Sequence, residues 1–254
     1  MPKARRTLFA VVGMHRSGTS ALARVMNLLG PPLPEPLLLG MPDNPLGHWE
    51  PLELLDLDTR ALAAAGCSWD SGPLEQAGDA VLADPALRRR ATSFLCRCFS
   101  RGNLAALVKD PRQTVVLPSW LALADELGIE TRIALIFRDP VEVARSLAAR
   151  DGIAIEAGLD LWRRYNRLGE AYSRDVPRIL VDYADLRRDP EAVVARLLPF
   201  MGEAGAYDPA AAASVAAGTP RDDAAPRPEL PAEVAETSAA LKAAAAGDAV
   251  VGLG

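Results

Sequence analysis

The sequence predicts an α/β fold: one domain with a central parallel β-sheet and helices on both faces. Three observations point there. The chain has 254 residues, 50% hydrophobic and 24% charged, which suits one large core and is too apolar for a disordered chain. Short unbroken apolar runs alternate with longer stretches of helical periodicity, and strands without in–out alternation are covered on both faces. Polar clusters follow the ends of three of those runs, where open parallel sheets bind ligands.

The elements follow in order. Residues 8–12 are a continuous apolar run and the first strand. Lys3, Arg5 and Arg6 before it imitate an export signal, but the run is too short and meets His15-Arg16 at once. A helix pattern covers 19–29 and stops at Gly30 and Pro31-Pro32. Residues 31–47, rich in Pro and Gly, read as a loop. Helices follow at 51–65 and 84–99, the second carrying Arg88, Arg89 and Arg90 on its surface. The run 104–108 is a second strand ending in Lys109-Asp110-Pro111-Arg112. A helix at 117–127 ends at Gly128. The third strand, 132–137, ends in Arg138-Asp139-Pro140, and Pro140 suits the first position of the helix 141–150. A helix at 156–172, a fourth strand at 178–182 and a helix at 191–201 complete the alternation. The predicted division is a domain over 1–203, an Ala/Pro/Gly-rich linker or lid over 204–228, and a C-terminal helix and tail over 229–254.

Composition excludes several classes. Net charge is −5, so there is no global attraction to nucleic acid or anionic lipid, and any anion must meet a local cluster. No apolar run approaches the roughly 20 residues of a membrane span, and a cytoplasmic location is expected. The 3 cysteines are too few and too badly spaced for a zinc site or a disulfide framework. Of 28 basic residues only Lys3, Lys109 and Lys242 are lysine, the mark of a GC-rich genome, so a lysine in this chain is the unusual choice.

Between the first strand and its helix stands Gly13-Met14-His15-Arg16-Ser17-Gly18-Thr19-Ser20. Strand, glycine-bounded loop and helix N-terminus together make an anion cradle of backbone N–H groups. The loop fits G-x-x-x-x-G-K-[ST] except at the lysine, where Thr19 stands. The domain is therefore P-loop-type, with its cation moved to Arg16. A kinase or ATPase would miss that lysine at the β- and γ-phosphates.

His15-Arg16-Ser17-Gly18-Thr19-Ser20 resembles the 5′-phosphosulfate loop of sulfotransferases that use 3′-phosphoadenosine 5′-phosphosulfate (PAPS). His15 replaces the usual proline, as in bacterial members. The resemblance implies that His15, Arg16, Ser17, Gly18, Thr19 and Ser20 hold the donor, with Arg16 at the 5′-phosphate. The family reads the 3′-phosphate with an Arg at a strand end and a Ser eight residues on, positions matched by Arg138 and Ser146. Ser146 would lie about 9 Å along its helix, so that both side chains converge on one phosphate. Tyr183, Leu186 and Asp189-Pro190 resemble a later family segment. The likeness covers roughly residues 7–202, and the Arg-Lys-Gly loop of the cytosolic animal enzymes is absent.

The same resemblance suggests the catalytic groups. Lys109-Asp110-Pro111 is similar to the Lys-Asp-Pro segment of tyrosylprotein-type and bacterial members, whose lysine stabilises the transition state; a compact ammonium does this in a way a guanidinium does not copy. Arg112 is a further anion contact or a partner for Asp110. Gly47-His48-Trp49-Glu50 is similar to a bacterial Gly-aromatic-Trp/Phe-Glu segment. Glu50 is the preferred base and His48 the alternative, while a carboxylate favoured by a helix dipole is the bland role for Glu50. Trp49, Trp69 and Trp162 are available to line an acceptor pocket, though packing is the commoner use of each. The expected activity is in-line transfer of the PAPS sulfuryl group to a hydroxyl of a small-molecule, saccharide or lipid acceptor. 3′,5′-adenosine bisphosphate (PAP) is the product, and no metal, nucleic acid or membrane is required. Two alternatives remain: a small-metabolite kinase using Asp110 or Asp139 for Mg²⁺, and a non-catalytic nucleotide sensor.

Overall fold

A computed structural model describes residues 5–38, 40, 47–202, 210–212 and 229–247. The linker or lid expected over 204–228 lies outside the described residues except for 210–212, as does the end of the tail from 248.

Four strands form one parallel sheet in the order β2-β1-β3-β4: β1 Arg6–Val12, β2 Ala105–Lys109, β3 Ile129–Phe137 and β4 Arg178–Asp182. The register sets Ala10 beside both Val108 and Ile133, and Leu135 beside Leu180. Strand order reverses about β1, so its carboxyl end opens onto the crevice where such sheets bind ligands. β3 starts three residues earlier than its apolar run. Ile129, Glu130 and Thr131 pair with Arg6, Thr7 and Leu8 at a half-exposed end of the sheet, where a polar residue costs little.

Each strand feeds two cores, which is why no strand alternates in polarity. Leu8, Ala10 and Val12 face one core; Phe9 and Val11 face the other. The larger core is covered by α2 Leu52–Ala64, α3 Ala80–Ala83, α4 Pro85–Cys98, α5 Leu117–Glu126, α6 Pro140–Asp151 and α7 Ile155–Ser173. The smaller is covered by α1 Thr19–Leu28, α8 Tyr183–Arg188 and α9 Pro190–Met201. A last helix, α10 Ala232–Gly247, buries Val234, Leu241 and Ala245 in the larger core beside α7 and β4.

Helix starts are set by aspartates. Asp84, Asp139, Asp182 and Asp189 each accept backbone N–H groups at the heads of α4, α6, α8 and α9, satisfying donors that a helix leaves open. The three cysteines are free, and burial pushes the Cys98 thiol up to about 12. Among the described residues no helix is long and apolar enough to cross a membrane.

Candidate active site

The loop after β1 is shaped by its glycines. Gly13 has φ 146° and Gly18 φ 90°. A Cβ on Gly13 would strike the Ile136 carbonyl, and one on Gly18 the Tyr183 ring. Thr114 fastens the loop, accepting from Gly13 N at 2.9 Å and donating to Gly13 O at 3.2 Å. Arg16 sits at φ 66°, a region costly for a non-glycine residue and frequent at functional sites. Gly18 heads α1 without a side-chain cap, and the first turn carries no acid. The Ser17 hydroxyl is buried and has no hydrogen-bond partner among the described residues. An uncapped helix head with an unpartnered buried hydroxyl beside it suits an anion.

Lys109, at the end of β2, is buried to 1% exposure. Its ammonium donates to Glu50 Oε1 at 2.6 Å, to the His48 carbonyl at 3.0 Å and to Ser20 Oγ at 3.1 Å. Ser20 in turn donates to the same carbonyl at 3.2 Å. The lysine therefore ties the loop helix to the segment 48–50. Glu50 Oε2 lies 4.0 Å from Arg112 and has no hydrogen-bond partner among the described residues. Arg112 is instead held by Asp110, whose Oδ1 accepts from its Nη1 at 2.9 Å.

Arg16 and Ser146 meet across 130 residues of sequence, Nε donating to Oγ at 2.8 Å. Arg138 Nη1 donates to the Arg16 carbonyl at 3.3 Å, and its Nε to Glu142 at 2.7 Å. The Arg138 guanidinium also lies 4.9 Å from the centre of the Tyr183 ring. Trp162, fully buried, donates its indole N–H to the Arg138 carbonyl.

His15 is buried to 7% exposure, tilted against the Trp69 ring at 4.5 Å and edge-on to Tyr165 at 6.0 Å. Its Nε2 is unpartnered among the described residues. Burial first, then Arg112, Arg150, Lys109 and Arg16, hold its pKa well below the ordinary value, so the imidazole is neutral at neutral pH.

With this geometry in view, comparison with known proteins is decisive. The sequence pattern of the sulfotransferase family matches residues 9–208. The chain belongs to the sulfotransferase family. Its fold is similar to a sulfotransferase domain from the curacin biosynthetic pathway, with a TM-score of 0.51 at 16% identity over 94% of this chain and 99% of that one. It is also similar to the sulfotransferase domain of the Synechococcus PCC 7002 olefin synthase, with a TM-score of 0.54 at 18% identity over 94% and 96%. At such identities the likeness is one of fold. No curated protein sequence matches the chain.

In this sulfotransferase the segments singled out in the sequence meet at the carboxyl ends of β1, β2 and β3. Arg138 and Ser146 both bond to Arg16, and Glu142, one helical turn on, takes the Arg138 Nε. His48 brings its backbone carbonyl to the lysine rather than its ring. Trp162 is a core residue, whereas Trp49 carries the Arg24 guanidinium 4.6 Å from its ring centre and Trp69 meets His15 at a tilt. Asn44, Pro45 and Leu46, which precede Gly47, lie outside the described residues. Asp139 caps α6 and Asp110 holds Arg112, which occupies one oxygen of each aspartate considered for Mg²⁺.

Sequence reading missed Thr114, Tyr165 and Asp58. Thr114 stands next to a motif, and its neighbourhood was a signal. Tyr165 and Asp58 lie on α7 and α2 and carried no local sign of their contact with the site.

Proposed function

We propose that this sulfotransferase takes PAPS as donor and moves its sulfuryl group to a hydroxyl of a small-molecule, saccharide or lipid acceptor. One observation carries the reading. The loop expected at the 5′-phosphate and the pair expected at the 3′-phosphate form one hydrogen-bonded unit through Arg16, Ser146 and Arg138. A nucleotide carrying phosphate at both ends is the ligand such a unit suits.

The residues present fit the donor. The uncapped head of α1, the unpartnered Ser17 hydroxyl, Arg16, Thr19 and Ser20 would take the 5′ end; Arg138 and Ser146 would take the 3′-phosphate. Bound there, PAPS supplies an activated sulfuryl group on a phosphate leaving group. Arg16 and Lys109 place positive charge where the leaving oxygen gains negative charge. Glu50, with Oε1 held by Lys109, presents Oε2 to remove the acceptor hydroxyl proton. This supports Glu50 over His48 as base. A sulfuryl group carries less charge than a phosphoryl group, so side-chain cations suffice in this reading.

The test is calorimetric titration with PAP, ADP and ATP, with and without Mg²⁺. Metal-independent binding of PAP, at least about tenfold tighter than ADP, is expected. Ser146→Ala should weaken PAP and leave ADP unchanged. Mg²⁺-dependent ATP binding without preference for PAP would overturn the reading in favour of a kinase.

A further inference from the structure

The site is floored by more acid than cation. Asp58 on α2, Asp110 and Glu50 are carboxyl groups at 0%, 0% and 5% exposure. Lys109 and Arg112 are the cations they meet. Lys109 is taken by Glu50 and Arg112 by Asp110. α2 packs on the turn Pro111–Thr114, which sets Asp58 against this cluster. Among the described residues the Asp58 carboxyl has only the Trp120 indole N–H, donated to Oδ1 at 2.7 Å. Its Oδ2 is unpartnered among the described residues, and so is Oδ2 of Asp110. A fully buried carboxylate with no cation of its own is far from water, and the usual resolution is uptake of a proton. One proton also balances three acids against two cations.

We propose that Asp58 holds a proton in the folded protein, donates it from Oδ2 to Oδ2 of Asp110, and so acts as a positioning residue that keeps Arg112 on Asp110 and off Glu50. The inference rests on the reading of Glu50 as base. Arg112 Nη1 stands 2.9 Å from Asp110 and 4.0 Å from Glu50 Oε2, between two carboxylates that compete for it. A donor on Asp110 Oδ2 keeps Asp110 ionised and the guanidinium in place. Without that donor Asp110 is the next acid to take the proton, and Arg112 is released to the oxygen that must accept the substrate proton. The electrostatics agree. Burial drives both aspartates upward, and the charge of Asp110 raises Asp58 further. Glu50 raises both, Arg112 opposes on both, and Lys109 opposes on Asp110.

Two measurements test this on the full chain. The first is proton uptake on refolding at pH 7, wild type against Asp58→Asn. An amide mimics the neutral acid, so the variant should take up about one proton fewer per molecule. Equal uptake overturns the proposal. The second is the pH profile of kcat/KM for the sulfuryl transfer. Asp58→Asn, whose NH₂ still donates to Asp110, should keep the wild-type profile. Asp58→Ala should lower kcat and move the acid limb down by about one pH unit as a cation closes on the base. If Asp58→Ala only lowers Tm and leaves the limb in place, Asp58 merely supports Trp120 and the positioning role is wrong. Wild-type protein that binds no PAP and transfers nothing would count against the donor reading, and the proton count would then decide for Asp58 alone.

Discussion

A lysine and a glutamate, both nearly excluded from solvent and 2.6 Å apart, are a poor way to stabilise a fold. Desolvating two charges costs about as much as their attraction returns, and apolar residues of similar volume often do as well. Their presence is better explained by chemistry that needs both charges in one place. Ser20 and the His48 carbonyl complete the ammonium's shell, so Lys109 is fixed before any ligand arrives. Glu50→Gln separates the roles. The amide oxygen can still accept from Lys109, but the side chain can no longer take a proton. Turnover should fall by about 10²- to 10⁴-fold with PAP affinity unchanged. His48→Ala should have a small effect, because the backbone carbonyl that meets Lys109 survives the substitution. The reverse pattern in steady-state kinetics would make the imidazole the base.

At the scale of elements, the site is the loop between β1 and α1 and what packs around it. Gly18 is where helix, loop and Tyr183 come together. Its φ of 90° and the Tyr183 ring at its Cα leave no room for a methyl group. Gly18→Ala should cost about 1–3 kcal/mol from the backbone conformation alone, read as a lower Tm. It should also weaken PAP, because the loop must shift. A normal affinity would mean that the cradle is not where the anion binds. The same element explains what could be read from sequence. His15 to Ser20 form one stretch, and the fold class followed from apolar runs that end in polar clusters, so both were legible. Ser146 was placed from helix rise, yet its partner, Arg16, is 130 residues away, and spacing within one segment says nothing of that. Glu142 accepts from Arg138 one helical turn on, an i,i+4 pairing that local rules allow. Asp58 looked like any polar residue on a helix. Only tertiary packing buries it.

At the scale of the molecule, two cores share one sheet, and the face carrying α2 and α7 also carries the acid cluster and the aromatic wall around His15. α10 closes this face far along the chain. Val234, Leu241 and Ala245 are buried there, and Arg196 on α9 donates to the Leu180 carbonyl of β4 and the Ala245 carbonyl of α10. α10 leans on α7, and α7 holds Arg138 through the Trp162 indole. Removing residues 229–254 would expose these apolar contacts. At about 25 cal/mol per Å² the loss is on the order of 3–5 kcal/mol, an upper range because the unfolded chain is partly compact. The truncated protein should melt about 10 °C lower. Well below that temperature it should bind PAP within about threefold of the intact chain, because the contacts of α10 among the described residues run chiefly to α7 and β4. A loss of more than tenfold at 25 °C with the fold intact by circular dichroism would place the C-terminal helix, or the segment leading to it, in the donor site itself.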